Sequence, residues 1–119
     1  MKAIRGATSI EADCPEEIQD SIIELMEEIF NRNKITELHS VIFTVTNDIA
    51  SYNPATAFRK GFDQSDVALL CLYEASFGNS PGGIIRVLLH CESETKNFVY
   101  LRRARNLRPD KVQVGDSKE

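Results

Sequence analysis

Apolar residues recur along this chain in two rhythms. Ile18, Ile22, Leu25, Met26, Ile29 and Phe30 follow one another at three- and four-residue steps. That spacing puts them on one face of an amphipathic helix over about residues 15–32, with acids on its wet face. Asp13 and Glu16 have the form of a capping box, Pro15 suits the first turn, and the acid-rich start suits the helix dipole. Elsewhere the rhythm is that of strands. KAIRGATSI (2–10) predicts a first strand, with Gly6 marking a bulge or a close backbone approach. HSVIFTVTND predicts a second, near 40–46, and NPATAFRKGF predicts one or two helical turns on a surface loop.

The run VALLCLY (67–73) is almost wholly apolar, as in a strand buried on both faces. A glycine-rich loop (75–83) separates it from the next strand (84–92), so the pair reads as a hairpin whose register the long loop leaves open. ESETKN reads as a turn, FVYLRRARNL as extended, and Pro109 as its stop. The expected organisation is one domain over 1–108 and a polar tail over 109–119, mobile unless a partner holds it. The fold class is α+β, a mixed five-stranded sheet with one long amphipathic helix. One helix covers one face. Strands this apolar need the other face covered as well, and oligomerisation through it is the simplest remedy.

Composition narrows the function. The chain has 119 residues, 42% hydrophobic and 27% charged, which suits one soluble domain. It has no run long and apolar enough for a membrane helix, and its start lacks the apolar core of a signal peptide, so a cytoplasmic protein is expected. Cys14, Cys71 and Cys91 are widely spaced and read as free thiols. His39 and His90 are far apart, so a metal site is not expected. A net charge of −4 argues against nucleic acid as a partner. The charges are uneven, however. Residues 11–28 are rich in acids and hold no base, whereas Arg102, Arg103, Arg105 and Arg108 cluster, as a site for a small anion would require.

Two charged residues stand out against the strand pattern. Glu74 ends the run 67–73. Arg86 shares a face with Ile84, Leu88 and His90, while Ile85, Val87, Leu89 and Cys91 on the other face are uniformly apolar. Pairing that brings Glu74 beside Arg86 leaves two readings open, a structural ion pair or a polar site at a subunit seam.

Five blocks in order, IRGATS (4–9), CLYE (71–74), GGIIR (82–86), VYL (99–101) and LRPD (107–110), resemble the small trimeric chorismate mutases of the Bacillus type over nearly the whole chain. The resemblance implies a homotrimer whose sheets form a pseudo-α/β-barrel, with three sites at the seams. It also implies the Claisen rearrangement of chorismate to prephenate, feeding phenylalanine and tyrosine synthesis. Such a pericyclic step needs no nucleophile, metal or cofactor, only a held conformer and stabilised charge. By the same resemblance Arg86 reaches the ether oxygen and a carboxylate, Glu74 accepts from the ring hydroxyl, and Cys71 contacts that hydroxyl region without acting as a nucleophile. Arg5 and Tyr100 match carboxylate-binding residues; taken alone, Arg5 reads equally as a solvent-facing strand charge, and Tyr100 reads more often as half-buried packing. Arg59 and Arg108 match arginines near the mouth and tail, with surface solvation as the competing reading, and Leu107 lines the pocket. Three positions depart from the family: Asn53 and Thr56 stand where an aromatic residue and a lysine are common, and Leu70 where a threonine often precedes the cysteine.

Two other functions fit the architecture. One is a trimeric imine/enamine deaminase-like enzyme, which also binds carboxylates through an arginine at a seam. The other is a non-catalytic carboxylate-binding trimer that keeps the fold.

Overall fold

The computed structural model describes residues 1–64 and 66–107. Its order is β1 (Lys2–Ser9), α1 (Pro15–Arg32), β2 (Ile35–Val45), α2 (Pro54–Gly61), β3 (Ala68–Tyr73), β4 (Ile84–Ser93), β5 (Val99–Tyr100) and a 3-10 turn (Arg102–Asn106). The fold is α+β, a five-stranded mixed sheet with two helices.

Helix α1 keeps the limits its periodicity predicts. Ile18, Ile22, Leu25, Met26 and Ile29 are fully buried, each contributing roughly 1.5–3 kcal/mol. Its start is not the expected capping box. Cys14 is the N-cap and caps with no side chain. The Asp13 carboxylate accepts instead from the backbone N–H groups of Ala50 and Ser51. Glu17, one residue beyond the expected partner, accepts from the N–H groups of Glu11 and Ala12. Loop donors with no strand partner compete for these carboxylates, and they win. At the other end, Asn33 donates to the carbonyls of Ile29 and Asn97 and accepts from the Asn97 N–H. That knot ties the helix end to the segment leading into β5.

The strand order is β3-β2-β4-β1-β5. β4 runs antiparallel to β1 and β2, whereas β2/β3 and β1/β5 are parallel. The predicted hairpin of β3 and β4 therefore does not form, because β2 lies between them. A parallel β2–β3 pair needs a crossover, and the segment holding α2 supplies it. The next loop then carries the chain past the end of β2 to β4. β2 also starts earlier than its alternation predicts, at Ile35, with two register shifts before Ser40. At Gly6 the close approach is real: a Cβ there would lie 3.0 Å from both Ile29 Cδ1 and the Val99 carbonyl. The β1–β4 register runs unbroken, so no bulge is present.

The inner sheet face carries Ile4, Val41, Phe43, Val45, Ile85, Val87, Leu89 and Cys91, all buried beneath the helices. α2 joins this layer through Phe58, whose ring lies 6.2 Å from that of Phe43 and 5.2 Å from that of Phe62. The outer face is covered at its β1–β5 end, where Ala104 of the 3-10 turn packs on Ala7 and Tyr100, and is open toward β3. β3, expected to be buried on both faces, leaves Leu70 and Leu72 about half exposed, at 53% and 48%. It is an edge strand, and no described element of this chain crosses its outer side.

The segment 98–107 is not extended throughout. After Tyr100 the Leu101 N–H bonds the Ala7 carbonyl, Arg102 adopts a φ of +54°, and the chain coils into the 3-10 turn. Arg102 pairs with Glu24 and Arg103 with Glu11, each at 3.0 Å. Two of the four clustered arginines are thus neutralised by the acid-rich segment, and the expected local anion site does not form from them. Arg108 and the tail 109–119 lie outside the described residues.

Candidate active site

Glu74 directly follows β3. Its N–H donates to the Val45 carbonyl at 2.9 Å, which extends the β2–β3 ladder and fixes where its side chain starts. Thr44 lies opposite Leu72 on one side and Arg86 on the other. Strands on either side of a shared neighbour are roughly 10 Å apart. Glu74 and Arg86 span that gap over the small side chain of Thr44, and Arg86 Nε donates to Glu74 Oε1 at 3.1 Å. Thr44 Oγ1 donates to the same oxygen, also at 3.1 Å. The Glu74 side chain is 16% exposed and that of Arg86 41%. Among the described residues, Glu74 Oε2 and the terminal nitrogens of Arg86 carry no hydrogen bond.

The start of β4 is clamped from below. Asp48 accepts from Thr46 Oγ1 at 2.6 Å and from the Gly83 N–H, while Thr46 Oγ1 accepts from the Ile84 N–H. The Thr46 hydroxyl, then the Gly83 N–H, hold the Asp48 carboxyl below the ordinary aspartate range. Gly83 sits at φ +67°, in the left-handed region, and a Cβ there would lie 2.7 Å from the Ile10 carbonyl oxygen. A glycine is required at this turn, three residues before Arg86.

Across the sheet from Thr44 and Arg86, the same row continues through Ala7 to Tyr100. Tyr100 is buried against Ala7 and Ala104, with Leu107 half-buried beside them. Arg5, opposite Leu88, is exposed, and its guanidinium lies 5.4 Å from the Phe98 ring centroid. Glu74, Arg86, Arg5, Tyr100 and Leu107 are therefore gathered on the outer side. Leu70 shares that face at the β3 edge.

The remaining candidates are not brought to that cluster. Cys71 lies opposite Phe43 and packs on the inner core. It borders a concavity of about 400 Å³ with Ile49, Tyr52, Asn53, Pro54 and Tyr73. Burial pushes its thiol pKa up, so it is a poor nucleophile. Asn53 Oδ1 caps α2 by accepting from the Ala55 N–H at 2.8 Å. Thr56 is half-buried and Arg59 exposed on that helix. These four belong to the helix layer and the β3 edge. A larger concavity, about 820 Å³, lies where Phe30, Ile35 and Phe62 meet the exposed acids Glu37, Asp63 and Asp66. With acids and no base among the described residues of its wall, it repels anions. Sequence reasoning passed over Thr44 and Phe98. The alternation in VIFTV does place Thr44 on the polar side of its strand, which was the available signal.

A paired arginine and carboxylate on the outer sheet face, with a buried tyrosine in the row of the first arginine and a second arginine in the next row, define a small α+β protein built to bind a compact anionic ligand. The model of the family chorismate mutase type I matches residues 1–111, and the chain belongs to that family: it is a chorismate mutase, an isomerase. The chain is 39% identical to the chorismate mutase AroH of Thermus thermophilus, covering 92% of this chain and 95% of the relative. It is 29% identical to the AroH of Bacillus subtilis, covering 92% and 91%. A solved chorismate mutase from Clostridium thermocellum superposes with a TM-score of 0.81 at 32% identity, over 89% of this chain and 99% of that one. These matches lend no support to a deaminase or to a non-catalytic binding protein.

Proposed function

We propose that the chain converts chorismate to prephenate for phenylalanine and tyrosine synthesis in the cytoplasm, as a homotrimer whose sites lie at the subunit seams. Arg86 and Glu74 form the reacting centre. Chorismate carries two carboxylates, an enol ether and a ring hydroxyl. As the C–O bond breaks, the ether oxygen gains negative charge and the ring becomes cation-like. The free guanidinium nitrogens of Arg86 meet the ether oxygen and a carboxylate. Glu74 Oε2 accepts from the ring hydroxyl and faces the developing positive charge. That separation of charge matches the transition state better than the ground state, which is what accelerates a reaction. Arg5 and Tyr100 hold carboxylates and so keep the folded conformer. The electrons of a pericyclic step move within the substrate, so the chemistry calls for no cofactor.

The Glu74–Arg86 pair carries this reading, because each partner keeps unsatisfied polar atoms on an open face. The seam has separate support. Arg5, Arg86 and Tyr100 face outward, while Cys71, Asn53, Thr56 and Arg59 border the helix layer. One chain cannot close both sets around one ligand, whereas a neighbouring copy brings the second set to the first. Covering half-exposed Leu70 and Leu72 in such a seam contributes about 1 kcal/mol each. Loss of chorismate absorbance with purified protein tests the reaction, and sedimentation equilibrium on the same sample tests the assembly. An active protein at trimer mass is expected, and a stable, fully active monomer overturns the seam site.

A further inference from the structure

We infer that Thr44 is a positioning residue for the rearrangement, acting through Glu74. This rests on the role proposed for Glu74 and extends it one residue deeper. An ionised carboxylate only accepts hydrogen bonds, so the direction of the Thr44 bond is settled: the hydroxyl donates. Thr44 Oγ1 and Arg86 Nε both donate to Oε1, each at 3.1 Å. Two donors on one oxygen fix the torsion of the carboxylate and turn Oε2 toward the open face. Arg86 alone leaves the plane of the carboxylate free to swing about a single contact. The second donor removes that freedom before substrate arrives.

Thr44 is also the spacer of the pair. It occupies the position of β2 facing both Leu72 and Arg86, so Glu74 must pass over it to reach across the sheet. A bulkier side chain there lifts the carboxylate away from the guanidinium. A smaller apolar one keeps the passage and loses the bond. The position therefore calls for a residue that is short, suited to a strand and able to donate.

The hydroxyl and the spacer are separable by substitution. Thr44→Val keeps the β-branched shape and removes only the donor. Thr44→Ser keeps the donor. In Thr44→Val, kcat should fall about tenfold, as expected for losing a bond to a charged group, with KM moving less than about threefold. Thr44→Ser should return kcat to within about twofold of the parent, and the thermal midpoint should be preserved in both. Against a Glu74→Ala background the valine substitution should change kcat by less than about twofold, because its target is gone. Should Thr44→Val not fold, Thr44→Ala takes its place in the same cycle with the same expectations.

Three results overturn the inference, and they differ. If Thr44→Val keeps parental kcat while Glu74→Ala loses activity, Thr44 does not position and the role of Glu74 stands. If Thr44→Val costs the same with and without Glu74, the hydroxyl acts on the fold or elsewhere. If Glu74→Ala itself keeps parental kcat, the role of Glu74 falls and the positioning role falls with it.

Discussion

Replacing Arg86 with citrulline keeps the shape of the side chain and removes its charge. The geometry sets the size of the effect. Arg86 Nε is already bound to Glu74, so in the proposed role the two terminal nitrogens are those left for the substrate. At about 3 Å and an effective dielectric near 20, two unit charges attract by roughly 5 kcal/mol. A developing charge of about one half on the ether oxygen is then worth roughly 2–3 kcal/mol, or about 10²-fold in rate. The side chain is 41% exposed in the single chain, and the proposed seam, by excluding water, would raise the figure. Citrulline should therefore lower kcat about 10²-fold. Arg86→Ala removes the donors as well and should lose about 10³-fold or more. Arg86→Lys should recover little, because an ammonium lacks the fork that serves Glu74 and the substrate together. Steady-state loss of chorismate absorbance gives kcat and KM, and sedimentation and thermal melts confirm that each variant is folded and assembled. Melts matter because Arg86→Ala also leaves the mostly covered Glu74 carboxylate without its cation, at about 1–2 kcal/mol. If the citrulline variant keeps kcat within a few-fold of the parent, stabilisation by positive charge is wrong. Arg86 is then a positioning group or simply the ion-pair partner of Glu74.

Three further outcomes follow from the same geometry. Cys71→Ser should keep at least about a third of the turnover, since the reaction needs no nucleophile and burial already raises the thiol pKa; complete loss in a folded, assembled protein contradicts this. The folded-state pKa of Asp48 is lowered, so its contribution to stability is present above the unfolded value near 4 and is lost as pH falls through the lower folded value. Melting temperatures between about pH 5 and 2 should fall less steeply in Asp48→Asn than in the parent, and equal slopes would refute the clamp. Gly83→Ala must place a Cβ 2.7 Å from a backbone oxygen at φ +67°, so denaturant unfolding should show a loss of about 2–4 kcal/mol; a midpoint unchanged from the parent would mean that the turn relaxes freely.

The sequence by itself determined the features that depend on near neighbours. The limits of α1 were legible because six apolar residues, from Ile18 to Phe30, keep helical spacing over about three turns, and a helix closes its bonds within itself. The face of Arg86 was legible because alternation along β4 is a local property. Five short blocks carried the family, along with Glu74, Arg86, Arg5 and Tyr100 as its candidates. Only the tertiary structure decided that β2 lies between β3 and β4, since strand order depends on which faces pack and how the chain crosses over, and no local pattern encodes that. This one fact makes Glu74 and Arg86 meet over a third residue and gives Thr44 its place between them. It also makes β3 an edge strand, half exposed where its apolar run suggested full burial. The same non-local competition moved Asp13 from the helix cap to the donors of a distant loop, and drew Arg102 and Arg103 to Glu24 and Glu11. Cys71 and Glu74 stand three residues apart in one block, yet one packs inward and the other reaches outward, because successive residues of a strand point to opposite faces of whatever sheet the whole chain builds.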